Sequence, residues 1–389
     1  MATNKTDKVL NVPTLRFPGF TEEWQKSALG DICTVQMCKR IFAHQTSEVG
    51  DVPFYKIGTI GGIPDSYISK ELFDEYRCKY NYPQQGEVMI TCAGTVGKAI
   101  PFDGADSYFQ DSNIVWLSNP TDKINNKFLY YIISRVDWSR LNSTTITRIY
   151  NDDLRKLGIS YPNRTEQKKI ADFLSLLDDR IALQSKLIED LKKLKSAITE
   201  LLFNNDASKV RLGTLIKQVS ARNRDGLINI VMSVSNKHGF IAQSEQFEDR
   251  TVASEDTTNY KVIKSGIFAY NPARINVGSI AQYKGDETCI VSPMYLCFKC
   301  GVDVVGDYLE HFFSTKYFFK EMDKRLEGSV RQCLSFEALC NIPIPLPSIE
   351  QQHCTATIIG GISKMIAAES KILQAYTKQK NYLLSTMFI

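Results

Sequence analysis

The sequence predicts an α/β (α+β) chain built twice, with two similar globular domains separated by two long antiparallel coiled-coil helices in a pseudo-twofold internal repeat. Three observations predict it. The chain matches itself at a spacing near 184 residues, each half runs from mixed sequence into a long helical stretch, and both stretches share a 3.5-residue apolar period. A length of 389 residues fits two to three domains, and 43% hydrophobic with 11% aromatic residues is enough to fill their cores. The expected boundaries are residues 1–161 for the first globular domain, 162–206 for a central spacer helix, 207–346 for the second domain and 347–389 for a C-terminal spacer helix.

The repeat is read from paired positions. Leu29-Gly30 matches Leu212-Gly213, and Phe128-Leu129 with Ser134 matches Tyr308-Leu309 with Ser314. Leu154, Leu157, Ile159 and Pro162 match Leu339, Ile342, Ile344 and Pro347 at 185, and Glu166-Gln167 aligns with Glu350-Gln351 at 184. The mixed regions carry short apolar runs between Gly, Pro and Asn, with strands expected at Val88 to Thr91, Ile114 to Leu117, Ile267 to Tyr270 and Met294 to Phe298. In the first helix the apolar seam runs through Ile170, Leu174, Leu177, Ile181, Ile188, Leu191, Ile198 and Leu202, interrupted by Gln184 and Lys195. The second repeats it at Ile359, Ile362, Ile366, Leu373, Tyr376, Leu383 and Met387, interrupted by Glu369 and Lys380. Asn163-x-x-Glu166 and Ser348-x-x-Gln351, each just after a proline, read as capping boxes. About 40 residues at ~1.5 Å each make a helix of roughly 60 Å. A pair of ordinary core helices is the plainer alternative.

Several function classes are set aside. Met1 to Leu10 is polar, with lysines and no apolar core, so no secretory signal is expected, and proline breaks apolar runs such as Ile342 to Leu346, so no membrane span is expected either. The expected location is the cytoplasm, where the scattered cysteines are free thiols. The excess of 47 basic over 43 acidic residues is too small to decide a partner. Gly94-Thr95-Val96-Gly97-Lys98 lacks the flanking residues of a phosphate loop, with Cys92 and Ala99 at those places, and reads as a turn between strands. Asn271-Pro272-Ala273-Arg274 lacks the second proline and aromatic of a methyltransferase adenine loop. Cys297-x-x-Cys300 has no partner pair at zinc spacing and reads as core. The four histidines are too dispersed for a triad or metal cluster, so no catalytic residue, metal or bound cofactor is expected.

What remains is a set of polar, glycine-bearing loops whose basic and amide side chains suit phosphate and base-edge contact, although ordinary solvated loops carry the same residue types. The candidates in the first half are Thr95, Lys98, Gln110, Ser112, Asn113, Thr145, Thr147 and Arg148. In the second they are Arg222, Arg224, Asn271, Arg274, Asn276, Ser279, Arg331 and Gln332. Arg matches guanine, and Asn or Gln matches adenine, because each bonds two edge atoms at once.

Three groups of residues carry a resemblance over nearly the whole chain. They are Val12-Pro13-x-Leu15-Arg16-Phe17-Pro18-Gly19-Phe20 with Trp24 and Leu29-Gly30-Asp31; the helix heads Pro162-x-x-x-Glu166-Gln167 and Pro345-Leu346-Pro347-x-x-Glu350-Gln351; and Asn271-Pro272-x-Arg274-Ile275-Asn276-Val277-Gly278-Ser279-Ile280. The chain resembles the specificity subunit of type I restriction-modification enzymes. The resemblance implies two target recognition domains, each reading part of a split double-stranded DNA site, and helices that act as a spacer. It also implies two docked methyltransferase subunits and recruited restriction/translocase subunits. S-adenosylmethionine, ATP and Mg are implied for those partners only. The exposed helix flanks, with Trp24 and the segment around it, are expected to form the methyltransferase docking surface. The alternative class is a duplicated scaffold whose helices join two protein-binding domains; salt-dependent affinity for duplex DNA separates the two. A self-sufficient nuclease or methyltransferase would need motifs that the sequence lacks.

Overall fold

A computed structural model describes residues 10–121, 123–141, 148–204, 208–236, 238–243, 256–328 and 332–389. The backbone forms two compact units, one of Met1–Leu183 with Ile372–Ile389, the other of Gln184–Lys371. Both divisions fall inside the long helices.

In the first unit the strands and helices run β1 (Gln25–Ala28), β2 (Thr34–Gln36), β3 (Val52–Tyr55), β4 (Tyr67–Ile68), α1 (Lys70–Lys79), β5 (Val88–Thr91), β6 (Ala99–Pro101), β7 (Tyr108–Phe109), β8 (Ile114–Ser118), α2 (Asn126–Ser134), α3 (Asn151–Lys156), β9 (Gly158–Tyr161) and α4 (Arg164–Phe203). They make an antiparallel sheet in the order β2-β8-β5-β6, a smaller sheet β4-β3-β7, and the pair β1-β9. The central strands β5 and β8 are apolar up to their last residues, Thr91 and Ser118, because both faces are covered. Val88, Ile90, Val115 and Leu117 pack with Phe128, Leu129, Ile170 and Leu174 on the helical side. Met89, Ile114 and Trp116 pack with Phe54, Ile68 and Tyr108 on the other.

The second unit repeats this plan with β10 (Lys209–Arg211), β11 (Ile216–Val219), β12 (Val231–Ser235), β13 (Gly239–Ala242), β14 (Lys261–Ile263), β15 (Phe268–Tyr270), β16 (Ile280–Gln282), β17 (Cys289–Val291), β18 (Leu296–Cys300), α5 (Gly306–Phe312), α6 (Lys316–Asp323), α7 (Phe336–Cys340), β19 (Pro343–Pro345) and α8 (Ile349–Thr386). Its main sheet has the order β11-β18-β15-β16, the smaller one β13-β12-β17-β14, and β10 pairs with β19. The Cys297-x-x-Cys300 pair lies in β18, and burial pushes both thiols up to about 11. Gly30 and Gly213 mark one shared close approach. A Cβ on Gly30 would lie 3.0 Å from Arg155 O, and one on Gly213 would lie 2.9 Å from Cys340 Cβ.

Helices α4 and α8 follow the seam read from the sequence, whose positions are the buried or half-buried ones along both helices. Their polar interruptions interlock. In the second unit Gln184 Nε2 donates to Glu369 O at 3.1 Å and to the Glu369 carboxylate, so two residues 185 positions apart touch each other. In the first unit Lys380 pairs with Asp178, which also accepts from Tyr131 Oη at 2.8 Å. The second unit has Lys195 in the place of Lys380, with Ser363 and His311 where Asp178 and Tyr131 stand. Burial lowers the pKa of Lys195.

One buried glutamine ties each helix head to its globular part. Gln167 Nε2 donates to Lys123 O at 3.0 Å and Pro162 O at 2.8 Å, while its Oε1 accepts from Asn125 N at 2.7 Å. Gln352 makes the same set with Asp303 O at 3.1 Å, Pro347 O at 3.0 Å and Val305 N at 2.8 Å. The copy of Gln167 is therefore Gln352, and the sequence alignment at 184 is corrected to 185, because each glutamine must reach the carbonyl of its own proline. The caps differ as well. Ser348 and Gln351 form the complete reciprocal box, whereas Asn163 caps Glu166 N and the Glu166 carboxylate turns to Arg16 in two bonds of 2.6 Å.

Candidate nucleic-acid interface

In the first unit, three predicted segments meet where β5 ends, β6 begins and β8 begins. Residues 92–98 form the β5–β6 turn, closed by Gly97 N donating to Thr91 O at 2.8 Å and by Lys98 N donating to Thr91 Oγ1 at 3.1 Å. Gly97 holds φ +81°, and a Cβ there would lie 2.0 Å from Trp138 Cδ1, so no other residue fits. Cys92 joins the segments, since its N donates to Asn113 O at 2.7 Å and its O accepts from Ile149 N at 2.9 Å. Burial pushes the Cys92 thiol up to about 11, so it sits there as a neutral core group.

The second unit builds the same junction from other side chains. Leu334 N donates to Pro272 O at 3.0 Å, in the role that Ile149 and Cys92 fill in the first unit. Asn271 N donates to Ser279 O at 3.1 Å and closes the β15–β16 turn, and Asn271 Oδ1 accepts from Ala273 N at 3.0 Å. Asn271 Nδ2 reaches Met294 Sδ at 3.7 Å, which brings in the turn before β18.

The candidate side chains fall into three groups. Thr95, Lys98, Arg274, Asn276 and Gln332 are exposed on these loops, Ser112, Asn113, Arg148 and Asn271 are half-buried beside them, and Arg224 is exposed on a separate segment after β11. A second group also serves the scaffold. Lys98 Nζ donates to Ile60 O at 2.7 Å, Gln110 Oε1 accepts from Ile57 N at 3.3 Å, Arg148 Nη2 donates to Ser112 O at 3.4 Å, and Arg222 Nη1 donates to Asn259 Oδ1 at 2.8 Å. Ser279 is 4% exposed, and its hydroxyl donates to Val234 O at 2.9 Å, so it holds the turn onto β12 instead of facing solvent. Thr145, Thr147 and Arg331 lie outside the described residues. The sequence reading passed over Tyr150, Val277 and Met294, which are exposed apolar side chains on the same loops.

Trp24 requires a correction. It is 3% exposed and packs edge-on to Phe128 and Phe388, with ring centroids 5.8 and 6.2 Å away. It belongs to the core of the first unit and cannot form part of a docking surface. Among the described residues no group of His, Cys, Asp and Glu could hold a metal ion, and no helix is long and apolar enough to cross a membrane.

A family profile described as the type I restriction modification DNA specificity domain matches residues 21–193. A putative type I restriction enzyme specificity subunit of Haemophilus influenzae is 48% identical over 163 residues, which span 42% of this chain and 42% of that protein. The first half of the chain is thus similar to type I specificity subunits. The profile takes in the first loop cluster and the head of α4, and more distant relatives extend the likeness through the second unit. A putative specificity subunit of Methanocaldococcus jannaschii is 23% identical over 94% of this chain and 93% of its own. The crystal structure of an S subunit from M. genitalium shares the fold, with a TM-score of 0.62 and 18% identity over 97% of this chain and 99% of that one.

Proposed function

We propose that this chain is the DNA sequence-specificity subunit of a type I restriction-modification system, reading a split, asymmetric site on double-stranded DNA with one loop cluster per half. The observation that carries this reading is the doubled junction. One backbone bond recurs across the junction, Ile149 N to Cys92 O in one unit and Leu334 N to Pro272 O in the other, and a third loop joins at the same end of the same sheet, by Cys92 N on Asn113 O in the first unit and by the Asn271 side chain on Met294 in the second, while the exposed side chains differ between them. A shared scaffold with different exposed side chains is what two unlike half-sites require.

In this reading the chain has no catalytic chemistry of its own and acts in the cytoplasm. Two methyltransferase subunits bring S-adenosylmethionine for transfer to adenine N6, and the restriction/translocase subunits bring ATP and Mg. The docking surface for the methyltransferase is a second apolar stripe, one residue before the seam. In the first unit it comprises the exposed Phe173, Leu176 and Leu183 of α4 and Ile372 and Tyr382 of α8, and in the second unit, separately, Leu187, Leu194 and Leu201 of α4 and Ile358 and Met365 of α8. Apolar side chains repeating at this spacing on a helix suit a partner helix.

The test is to produce the full chain with its cognate methyltransferase subunit in a host free of adenine methylation and to map N6-methyladenine by single-molecule sequencing. A split motif with a fixed gap supports the reading, and a stable complex without methylation refutes it. Exchanging residues 207–345 with those of another member should change one half-site and leave the other, whereas lengthening the helices should change only the gap, at ~3.4 Å per base pair.

A further inference from the structure

The two main sheets share a register that relates an arginine overlooked in the sequence to one that was found there. In the first unit Thr34 pairs with Ser118 and Gln36 with Trp116; in the second Ile216 pairs with Cys300 and Gln218 with Phe298. Both strands of each pair are related by an offset of 182 residues. The same offset carries Arg40 onto Arg222, each four residues past the equivalent glutamine.

Both arginines are oriented by a side-chain acceptor. Arg40 Nε donates to Asp111 Oδ2 at 2.7 Å, and Arg222 Nη1 donates to Asn259 Oδ1 at 2.8 Å. The Asp111 side chain is 19% exposed and the Arg40 side chain 58%, so a sheltered carboxylate holds an outward-facing guanidinium. Asp111 sits in the 110–113 loop of the candidate interface, directly before Ser112, whose φ of +51° is rare for a residue with a side chain. The exposed Met37 and Phe42 flank Arg40 on the same segment.

We propose that Arg40 is a base-reading residue of the first half, the positional equal of Arg222 in the second, with Asp111 as its positioning residue; this rests on the DNA reading above. Orientation favours a base edge over a phosphate. A phosphate contact needs charge and tolerates many geometries, yet the charge of Arg40 is already offset by Asp111. A base edge needs a planar fork at a fixed angle, which the Nε bond provides while leaving both terminal nitrogens free to donate. The fork matches O6 and N7 of guanine. In the second half the acceptor comes from a different segment, the neutral Asn259, and holds Arg222 by the terminal Nη1 and not by Nε.

The experiment maps methylation by the full chain with its methyltransferase subunit for wild type, Arg40→Ala, Arg40→Lys, Asp111→Asn and Arg222→Ala. Arg40→Ala is expected to relax one base pair of a single half-site roughly ten- to hundredfold. Arg40→Lys, which keeps the charge but loses the fork, should relax the same base pair, and Asp111→Asn should relax it less. Arg222→Ala should relax one base pair of the other half-site. An unchanged motif in both Arg40 variants overturns the inference. So does a uniform fall in methylation across all sites with the motif intact, which marks a phosphate or purely structural role. A wild-type chain that yields no split motif overturns the underlying DNA reading instead, and the inference with it. Thermal unfolding of each variant shows whether a change of motif comes from a folded chain.

Discussion

Removing the Gln167 side chain should loosen the first unit at the junction between its globular part and α4. Gln167→Ala deletes three hydrogen bonds of 2.7 to 3.0 Å and leaves the N–H of Asn125 and the carbonyls of Lys123 and Pro162 without their partner. At about 1 kcal/mol net per bond, and more where a buried group is left unsatisfied, the expected loss is about 3–4 kcal/mol. In a unit of this size that lowers the melting temperature by roughly 6 to 16 °C. Gln167→Glu has the same shape but places a carboxylate oxygen where an N–H₂ met two carbonyl oxygens, so it should destabilise at least as much at neutral pH. Because that carboxyl folds more readily when protonated, its pKa is raised in the fold, and the penalty should shrink as pH falls toward the ordinary glutamate value near ~4.3. The assay is built into the chain: Trp24, Trp116 and Trp138 all lie in the first unit, so urea unfolding followed by tryptophan fluorescence reports that unit alone. Gln352→Ala should produce a comparable loss in far-UV circular dichroism with a smaller change in the fluorescence transition. If Gln167→Glu unfolds together with wild type at pH 7, the three bonds are not the anchor.

The ion pair above this junction gives a related expectation. Arg16→Ala strands the fully buried Glu166 carboxylate and should cost about 3–5 kcal/mol, and the double change Arg16→Ala with Glu166→Ala should cost less, as fluorescence-detected unfolding would show. At the helix seam, Gln184→Leu with Glu369→Leu should raise stability by about 1 kcal/mol or more, whereas Gln184→Leu alone should lower it by removing a donor from Glu369; calorimetric melting distinguishes these outcomes. Burial holds the His311 pKa below 6.5, with Lys195 and Lys284 lowering it further and Glu310 and Asp307 opposing, so the unfolded chain takes up the proton first. Its stability contribution is complete above about pH 6.5 and falls as pH drops from there; His311→Gln should flatten that slope in urea titrations at pH 7.5 and 5.5, and an unaltered slope counts against the assignment.

The seam, the caps and the central strands were legible because each obeys a local period. Leu174, Ile188 and Ile359 stand where spacing alone puts them, and Val88 to Thr91 is a strand because both sheet faces are buried. Strands of two residues, such as Tyr67–Ile68 and Tyr108–Phe109, offer no period to read. Arg40 was missed because its partner, Asp111, is 71 positions away and nothing near Arg40 announces it. Trp24 was misread because its surroundings in sequence are polar, while the rings that cover it come from Phe128 and from Phe388 at the other end of the chain. Ser279 sits in a polar motif like its neighbours, and only the fold shows that its hydroxyl is used internally.

The two halves differ in a way that separates scaffold from recognition. Several residues that hold the scaffold are kept in kind: Gln167 with Gln352, Gly30 with Gly213, Leu29 with Leu212. Residues that face outward from the corresponding turns are not, so Thr95 and Lys98 stand in one turn where Arg274 and Asn276 stand in the other. The charge distribution follows the same division. Arg40 is balanced by Asp111, Lys70 by Asp74 and Asp106, and Lys284 by Asp307 and Glu310, so these basic side chains are already paired within the chain. A surface of this kind gives little sequence-independent attraction to a polyanion. Arginines such as Arg40 and Arg222 are set by side-chain geometry instead, which under the proposed DNA reading assigns the choice of site to this chain and much of the affinity to its partners.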